Sequence, residues 1–406
     1  MVRSGATGSA YRSWTPFVLV AVVVGVALMS SATPSPLYVD YQESWGTSGT
    51  MITVVYAVYA LAVLIPLLFL GRLSDAIGRR PVVMAGLALV GASMGLLVVA
   101  PDVAWLIVAR IVQGIGVGLV TSSAGAALVE LHPRRDARVG ALVNSSTLNF
   151  GIAAGVLLAG AVATWSPAPL VHPYLVIAVA SAVLLVAVPV GVPETAGFGP
   201  AGLRDAVRPQ RISVPPSIRP TFALASVCVL VSWSVGGVFL GLGGALTREM
   251  VGRSDYLLTG LVVAFLQGAA ALAQLGWNLR AGSWSWRSGV TVGVVTLIAG
   301  LVAASLAVEA GSIVGLTAAA AVVGIGMGLL FLMGSVLAAR DVPDGVRGEV
   351  ISAFFVVAYV ALGIPAVLAA FLAEIIGLGA AYHLLAAAVG LTAVGALITV
   401  KRSVSR

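Results

Sequence analysis

Twelve long apolar runs, separated by short charged or turn-forming stretches, constrain this chain more than any other feature. They fall at about 14–36, 50–70, 82–100, 104–129, 139–163, 173–192, 220–246, 256–277, 289–308, 312–337, 351–373 and 380–400. A helix needs roughly 20 apolar residues to cross a bilayer. Only helices and closed barrels satisfy their own backbone polar groups there. Twelve such helices use about 240 apolar residues, and 60% of the 406-residue chain is about 244. Charged residues make up only 9%, against about a quarter in soluble domains, which is too few to coat a globule of this size in water. The expected class is an all-α integral membrane protein. The first run is too long for a signal peptide. Cys228, the lone cysteine, excludes a disulfide framework, a thiol redox pair and cysteine-built zinc or iron–sulfur sites.

The formal net charge of +7 reads as topology, not as nucleic-acid binding. Cytoplasmic segments of membrane proteins carry the excess of Arg and Lys. With the N-terminus placed inside, every basic residue except Arg110, Arg248 and Arg253 falls in a cytoplasmic segment. One missed helix would destroy that alternation. Both termini are therefore expected in the cytoplasm, and the Arg-, Ala- and Val-rich usage suggests a bacterial cytoplasmic (inner) membrane. Tryptophans agree, since aromatic rings prefer the membrane interfaces. Trp45, Trp105 and Trp165 mark one boundary and Trp14, Trp277, Trp284 and Trp286 the other, with Trp233 alone in mid-span.

The chain also repeats. Val112-Gln113-Gly114-Ile115-Gly116-Val117-Gly118-Leu119 matches Val322-Val323-Gly324-Ile325-Gly326-Met327-Gly328-Leu329, and Pro133 and Pro343 share the same offset. The most polar stretch, 194–219, follows Pro193, holds Pro200, Pro209, Pro215, Pro216 and four arginines, and reads as a linker. The expected organisation is an N-terminal six-helix bundle (1–193), a cytoplasmic linker (194–219) and a C-terminal six-helix bundle (220–406). Parallel repeats of this kind build many secondary transporters, with the solute site between the halves near the midplane.

Between the second and third runs stands Gly71-Arg72-Leu73-Ser74-Asp75-Ala76-Ile77-Gly78-Arg79-Arg80-Pro81. Gly71 and Gly78 permit tight turns. Asp75 is placed to cap a helix start, and Arg79 and Arg80 to pair with carboxylates. The segment resembles the signature loop of the major facilitator superfamily, G-x-L-x-D-x-x-G-R-[RK], at every defining position. The resemblance implies twelve helices in two pseudo-twofold-related six-helix bundles and an alternating-access transporter. It also implies that Asp75 and Arg79 hold an inner gate, partly against the eleventh helix. The corresponding loop of the second half, 274–287, lacks the acid.

Three further segments bear on function. Arg110-Ile111-Val112-Gln113-Gly114-Ile115-Gly116 resembles the family's R-x-x-Q-G-x-G motif, whose arginine is linked to proton transfer or substrate charge. A fixed cation inside a span is costly and must face a cavity or a partner; carbonyls at a helix end near Pro34 and Pro36 are the alternative. Gly151 to Gly160 only partly resembles the antiporter motif, because Val156 stands where the family has proline; small residues four apart also serve helix packing. Val192-Pro193-Glu194-Thr195 resembles the family's P-E-T ending. Glu194 is expected to pair with Arg79, Arg80 or Arg138, with Glu130 joining the gate.

The remaining polar positions inside spans outline a cavity. Candidates are Tyr56 and Tyr59, Asn144 and Asn149, Trp233, Gln267, Phe355 and Tyr359, beside Arg110 and Gln113. Gln267 and Gln274 are seven apart and share a helix face. Ser232-Trp233-Ser234 before Gly236-Gly237 suggests a soft helix. Such a lining suits an amphipathic, largely uncharged ligand. No carboxylate falls in mid-span; Asp40 is the best proton carrier if the chain bends at Pro34 and Pro36 to bring it to Arg110. No phosphate loop, nucleophile elbow or metal-ligand spacing is present, so an enzyme and an ATP-driven pump are both disfavoured. The expectation is proton-coupled efflux of a drug-like or natural-product compound by a monomer, in contact with lipid, a small-molecule substrate and protons, and needing no cofactor. Uptake or facilitated diffusion of a sugar or other small metabolite is the alternative.

Overall fold

The computed structural model describes residues 13–71, 73–134, 136–195, 212–252, 255–279, 285–343 and 346–402. Most of the expected linker therefore lies outside the described residues, as do Arg72 and the side chain of Arg138. Twelve helices are long and apolar enough to cross a membrane, and no strand forms among the described residues. In chain order they are α1 (Thr15–Trp45), α2 (Gly49–Phe69), α3 (Arg79–Val98), α4 (Val103–Leu131), α5 (Leu142–Trp165) and α6 (His172–Gly191). The second six are α7 (Arg219–Val251), α8 (Tyr256–Leu279), α9 (Trp286–Glu309), α10 (Ile313–Ala339), α11 (Arg347–Ile376) and α12 (Leu378–Arg402).

Local chemistry explains where the helices begin and end. Ser48, Asp102, Ser285 and Ser312 each accept a bond from a first-turn backbone N–H, which satisfies a donor the helix itself leaves open. Gly46, Gly252 and Gly377 end α1, α7 and α11 at positive φ, where a side chain would be strained. The first helix differs from expectation. It does not stop near 36: Thr15–Ala32 passes through a 3-10 turn at Ser35–Leu37 into a further helix, Tyr38–Trp45. Proline at 34 and 36 removes backbone donors and tightens the chain there without ending it. The Ser232–Gly237 stretch, expected to be soft, lies within α7, whose 33 residues run unbroken.

The sequence repeat has a packing basis. On α4, a Cβ at Gly114 would stand 2.7 Å from the Tyr59 carbonyl oxygen of α2, and one at Gly116 2.8 Å from the Gly86 oxygen of α3. On α10, Gly324 and Gly328 sit against Leu266 and Ala270 of α8, while a Cβ at Gly326 would stand 2.5 Å from the Leu297 nitrogen of α9. Alternate glycines thus let α4 wedge between α2 and α3, and α10 between α8 and α9. Small residues are the means by which helices approach closely in lipid. The buried apolar side chains form two clusters. One is drawn mainly from α1–α6 with parts of α7, α8 and α11; the other comes from α7–α12.

Candidate functional site

At the end of the bundle where α3 begins, the Gly71–Pro81 loop folds into a network anchored on Arg79. Its guanidinium lies 2.7 Å from Asp75 and 3.1 Å from Glu130 of α4, and it donates to Ser74 Oγ at 2.6 Å. Glu130 also accepts from the Thr195 hydroxyl at 2.5 Å. Glu194, just past α6, accepts the backbone N–H groups of Arg79 and Arg80 at 2.7 and 3.1 Å. The carboxylate that caps α3 is Glu194, from 115 residues away, while Asp75 stands in the first turn of the short helix Leu73–Ile77. Glu194 meets Arg79 and Arg80 through their backbone N–H groups; the expected third partner, the Arg138 side chain, lies outside the described residues. The positive end of the helix dipole favours a carboxylate in that place. Arg80 reaches the Pro189 carbonyl at 3.2 Å. Gly78 makes the arrangement possible, since its φ is 103° and a Cβ there would stand 2.5 Å from Glu194. Every partner named here lies between Ser74 and Thr195. Gly71 lies apart from the network, at the rim of a cavity described below.

Deeper in, Arg110 is fully buried. It donates to the Ser31 carbonyl oxygen at 3.0 Å and to Gln113 Oε1. Its guanidinium lies 4.3 Å from the Tyr59 ring centre and 5.9 Å from that of Tyr56, a favourable placing for a cation. Gln113 Nε2 donates to the Ser30 carbonyl at 2.8 Å. The Arg–x–x–Gln pair is therefore a clamp from α4 onto the last carbonyls of the first helical segment, where hydrogen bonding leaves them free. Asp40 does not approach it. Asp40 instead lies beside Tyr256 of α8 and faces Arg248 of α7. The bend at Pro34–Pro36 keeps the chain helical and directs Asp40 toward the second set of helices.

Asp40 belongs to a group of contacts between the two sets of six helices at the end opposite Arg79. Glu43 pairs with Arg248. Ser35 Oγ donates to the Leu240 carbonyl at 2.6 Å. The Thr50 backbone N–H donates to Glu374 at 2.8 Å. Backbones also touch: a Cβ at Gly160 of α5 would lie 2.5 Å from the Tyr256 carbonyl of α8. The bundle is sealed at this end.

Between the seal and the Arg79 end lies a central cavity with about 700 Å3 of non-atom space, part of it open to solvent. Leu28 and Ser31 of α1, Tyr56 and Tyr59 of α2, and Leu148, Asn149 and Ile152 of α5 form one wall. Trp233 of α7, Gln267 and Gln274 of α8, Met327 and Phe331 of α10, and Tyr359 of α11 form the other. Trp233 packs against Phe331 at 5.6 Å and edge-on to Tyr359 at 5.0 Å between ring centres. Leu148, Trp233 and Tyr359 also line a second cavity that runs toward the Arg79 end past Asn144, Phe355 and Gly71. The structure thus gathers Tyr56, Tyr59, Asn149, Trp233, Gln267 and Tyr359 around one space and sets Asn144 and Phe355 along its approach. It leaves Arg110, Gln113 and Asp40 out of both linings. Met327 and Phe331 were not among the candidates, because on an evenly apolar helix nothing marks the face turned to the cavity.

A twelve-helix bundle with paired glycine wedges, sealed at one end and hollow to the other, is the architecture implied by the loop motif. The Major Facilitator Superfamily profile matches residues 20–366. The chain belongs to the Major Facilitator Superfamily. An uncharacterized transporter from Rickettsia bellii (strain RML369-C) is 38% identical over 77 residues, which cover 19% of this chain and 19% of the relative; the match thus spans about a fifth of that curated relative. A solved POT family transporter in complex with 5-aminolevulinic acid superposes with a TM-score of 0.74 at 14% identity, over 95% of this chain and 96% of that one. The human organic anion transporter MFSD10 (TETRAN) superposes at 0.69 with 16% identity, over 94% and 99%. At these identities the likeness is one of fold. This superfamily member is a multi-pass membrane transporter of small molecules, not an enzyme.

Proposed function

We propose that this transporter exports a small amphipathic, largely uncharged compound across a bacterial cytoplasmic membrane, by alternating access of two six-helix halves (1–193 and 220–406) and in exchange for protons. The observation that carries the reading is the central lining: aromatic rings, amides and small hydroxyls, with no Asp, Glu, Lys or Arg among its described residues. Such a wall offers stacking and a few oriented hydrogen bonds, and repels strongly hydrated ions. The Arg79 end faces the cytoplasm, so the solute enters from inside. Asp75, Arg79, Arg80, Glu130 and Glu194 govern that entrance. Asp40 carries the proton: neutralising it removes its attraction to Arg248, and with it one of the contacts sealing the far end.

Inside-out vesicles with an imposed pH gradient and a panel of amphipathic dyes test this. Uptake that collapses when the gradient is dissipated is expected; no gradient-driven uptake of any dye would overturn it. Facilitated movement of a neutral metabolite is the second reading, favoured by the carboxylate-free lining, since a carrier without coupling needs no acid. Counterflow persisting without any gradient selects it.

A further inference from the structure

The central cavity has unmet hydrogen-bonding capacity, chiefly for accepting. Several of its polar groups are already engaged by the protein. Ser31 Oγ bonds the Leu28 carbonyl at 2.7 Å, Ser232 Oγ the Met327 carbonyl at 2.9 Å, and Asn149 Nδ2 the Ser145 carbonyl at 3.4 Å. Three lining atoms are not. Gln267 Oε1, Gln274 Oε1 and the Tyr56 hydroxyl are buried without a partner, on residues at most 4% exposed. Gln274 is oriented by its own Nε2, which donates to the Gly328 carbonyl at 3.3 Å, so its oxygen is the free end. Seven residues apart on α8, the two glutamines stand about 10 Å apart along one face. A buried acceptor without a donor is unfavourable by more than a hydrogen bond returns on average. Native structures rarely keep one except where something supplies the donor.

Resting on the export reading above, we propose that the solute is an uncharged, flat aromatic amphiphile carrying hydrogen-bond donors at its two ends. Gln267 and Gln274 accept those donors, and the aromatic body lies against Trp233 and Tyr359. Selectivity then comes from the glutamine carbonyls, because a site built to bond a hydroxyl discriminates strongly against an analogue that lacks it.

The test uses the purified full chain in nanodiscs and calorimetric titration with three probes: 4,4′-dihydroxybiphenyl, 4-hydroxybiphenyl and 4,4′-dimethoxybiphenyl. Affinity should fall about tenfold with each donor removed, the effect of one net hydrogen bond. Gln267→Met and Gln274→Met, which keep volume and drop the acceptor, should each weaken the dihydroxy probe about tenfold and leave the dimethoxy probe unchanged. That selective loss is one a misfolded variant would not give. Equal binding of all three probes, with Trp233→Ala weakening all of them, overturns the donor rule and leaves the cavity reading standing. Binding of the dihydroxy probe unaffected by Trp233→Ala overturns both. No binding of the dihydroxy probe overturns the donor rule, while the vesicle assay still judges export separately.

Discussion

Gly78 and Glu194 show how a motif position acquires meaning from a distant residue. Gly78 is held at φ 103° with no room for a Cβ beside the Glu194 carboxylate, which in turn caps α3 through two backbone N–H groups. Gly78→Ala carries both backbone strain and a collision, worth about 2 kcal/mol together. Glu194→Gln keeps the shape and removes only the charge-assisted part of the cap, about 1 kcal/mol. Thermal melts should rank Gly78→Ala well below Glu194→Gln. The double variant should be less destabilised than the sum, because the two residues share one contact. Additive losses would separate them. The ion pair of Arg79 with Asp75 is different, since the Asp75 side chain is 58% exposed and such pairs add little stability. Asp75→Asn should leave the melting temperature unmoved and slow transport in vesicles; an unchanged rate would remove Asp75 from the gate.

Among elements, α4 and α10 carry the clearest design. The Gly–x–Gly–x–Gly spacing was legible as a repeat, and the loop motif identified the connection between α2 and α3. What the glycines touch was not legible, because a helix face names its neighbour only once the bundle is assembled. Gly116→Val and Gly326→Val should each cost about 2 kcal/mol or more, since the added methyls meet backbone atoms that cannot move aside. Gly276→Ala, on α8 with no atom within 4 Å of the added Cβ, should be neutral or slightly stabilising. Melts in nanodiscs distinguish the three, and similar losses at all of them would show that general helix flexibility, not close packing, is what these glycines supply. The same logic accounts for Asp40. Its position near a span end was readable, but its partner depended on a turn at Ser35–Leu37 that directs it to Tyr256.

For the whole molecule, the asymmetry of its two ends is the functional statement. Contacts across the bundle concentrate at the Glu43 end, and the shared cavity lining runs the other way. Alternating access requires the sealed end to part. In a Cys228→Ser background, cysteines at 43 and 248 joined by a short bismaleimide should arrest vesicle transport while the protein remains folded by size exclusion. Full transport after cross-linking would rule out opening at that end. The amino-acid sequence alone determined the number of spans, the motif loop, the repeat and the polar residues that lie inside a membrane, because hydropathy, helix periodicity and turn chemistry act over a few residues to a few turns. Tertiary structure alone decided which carboxylate caps α3, that Arg110 clamps carbonyls and not an acid, and which polar atoms face the cavity without partners. Those outcomes join atoms tens to hundreds of positions apart, and only the packing of the helices brings them within bonding distance.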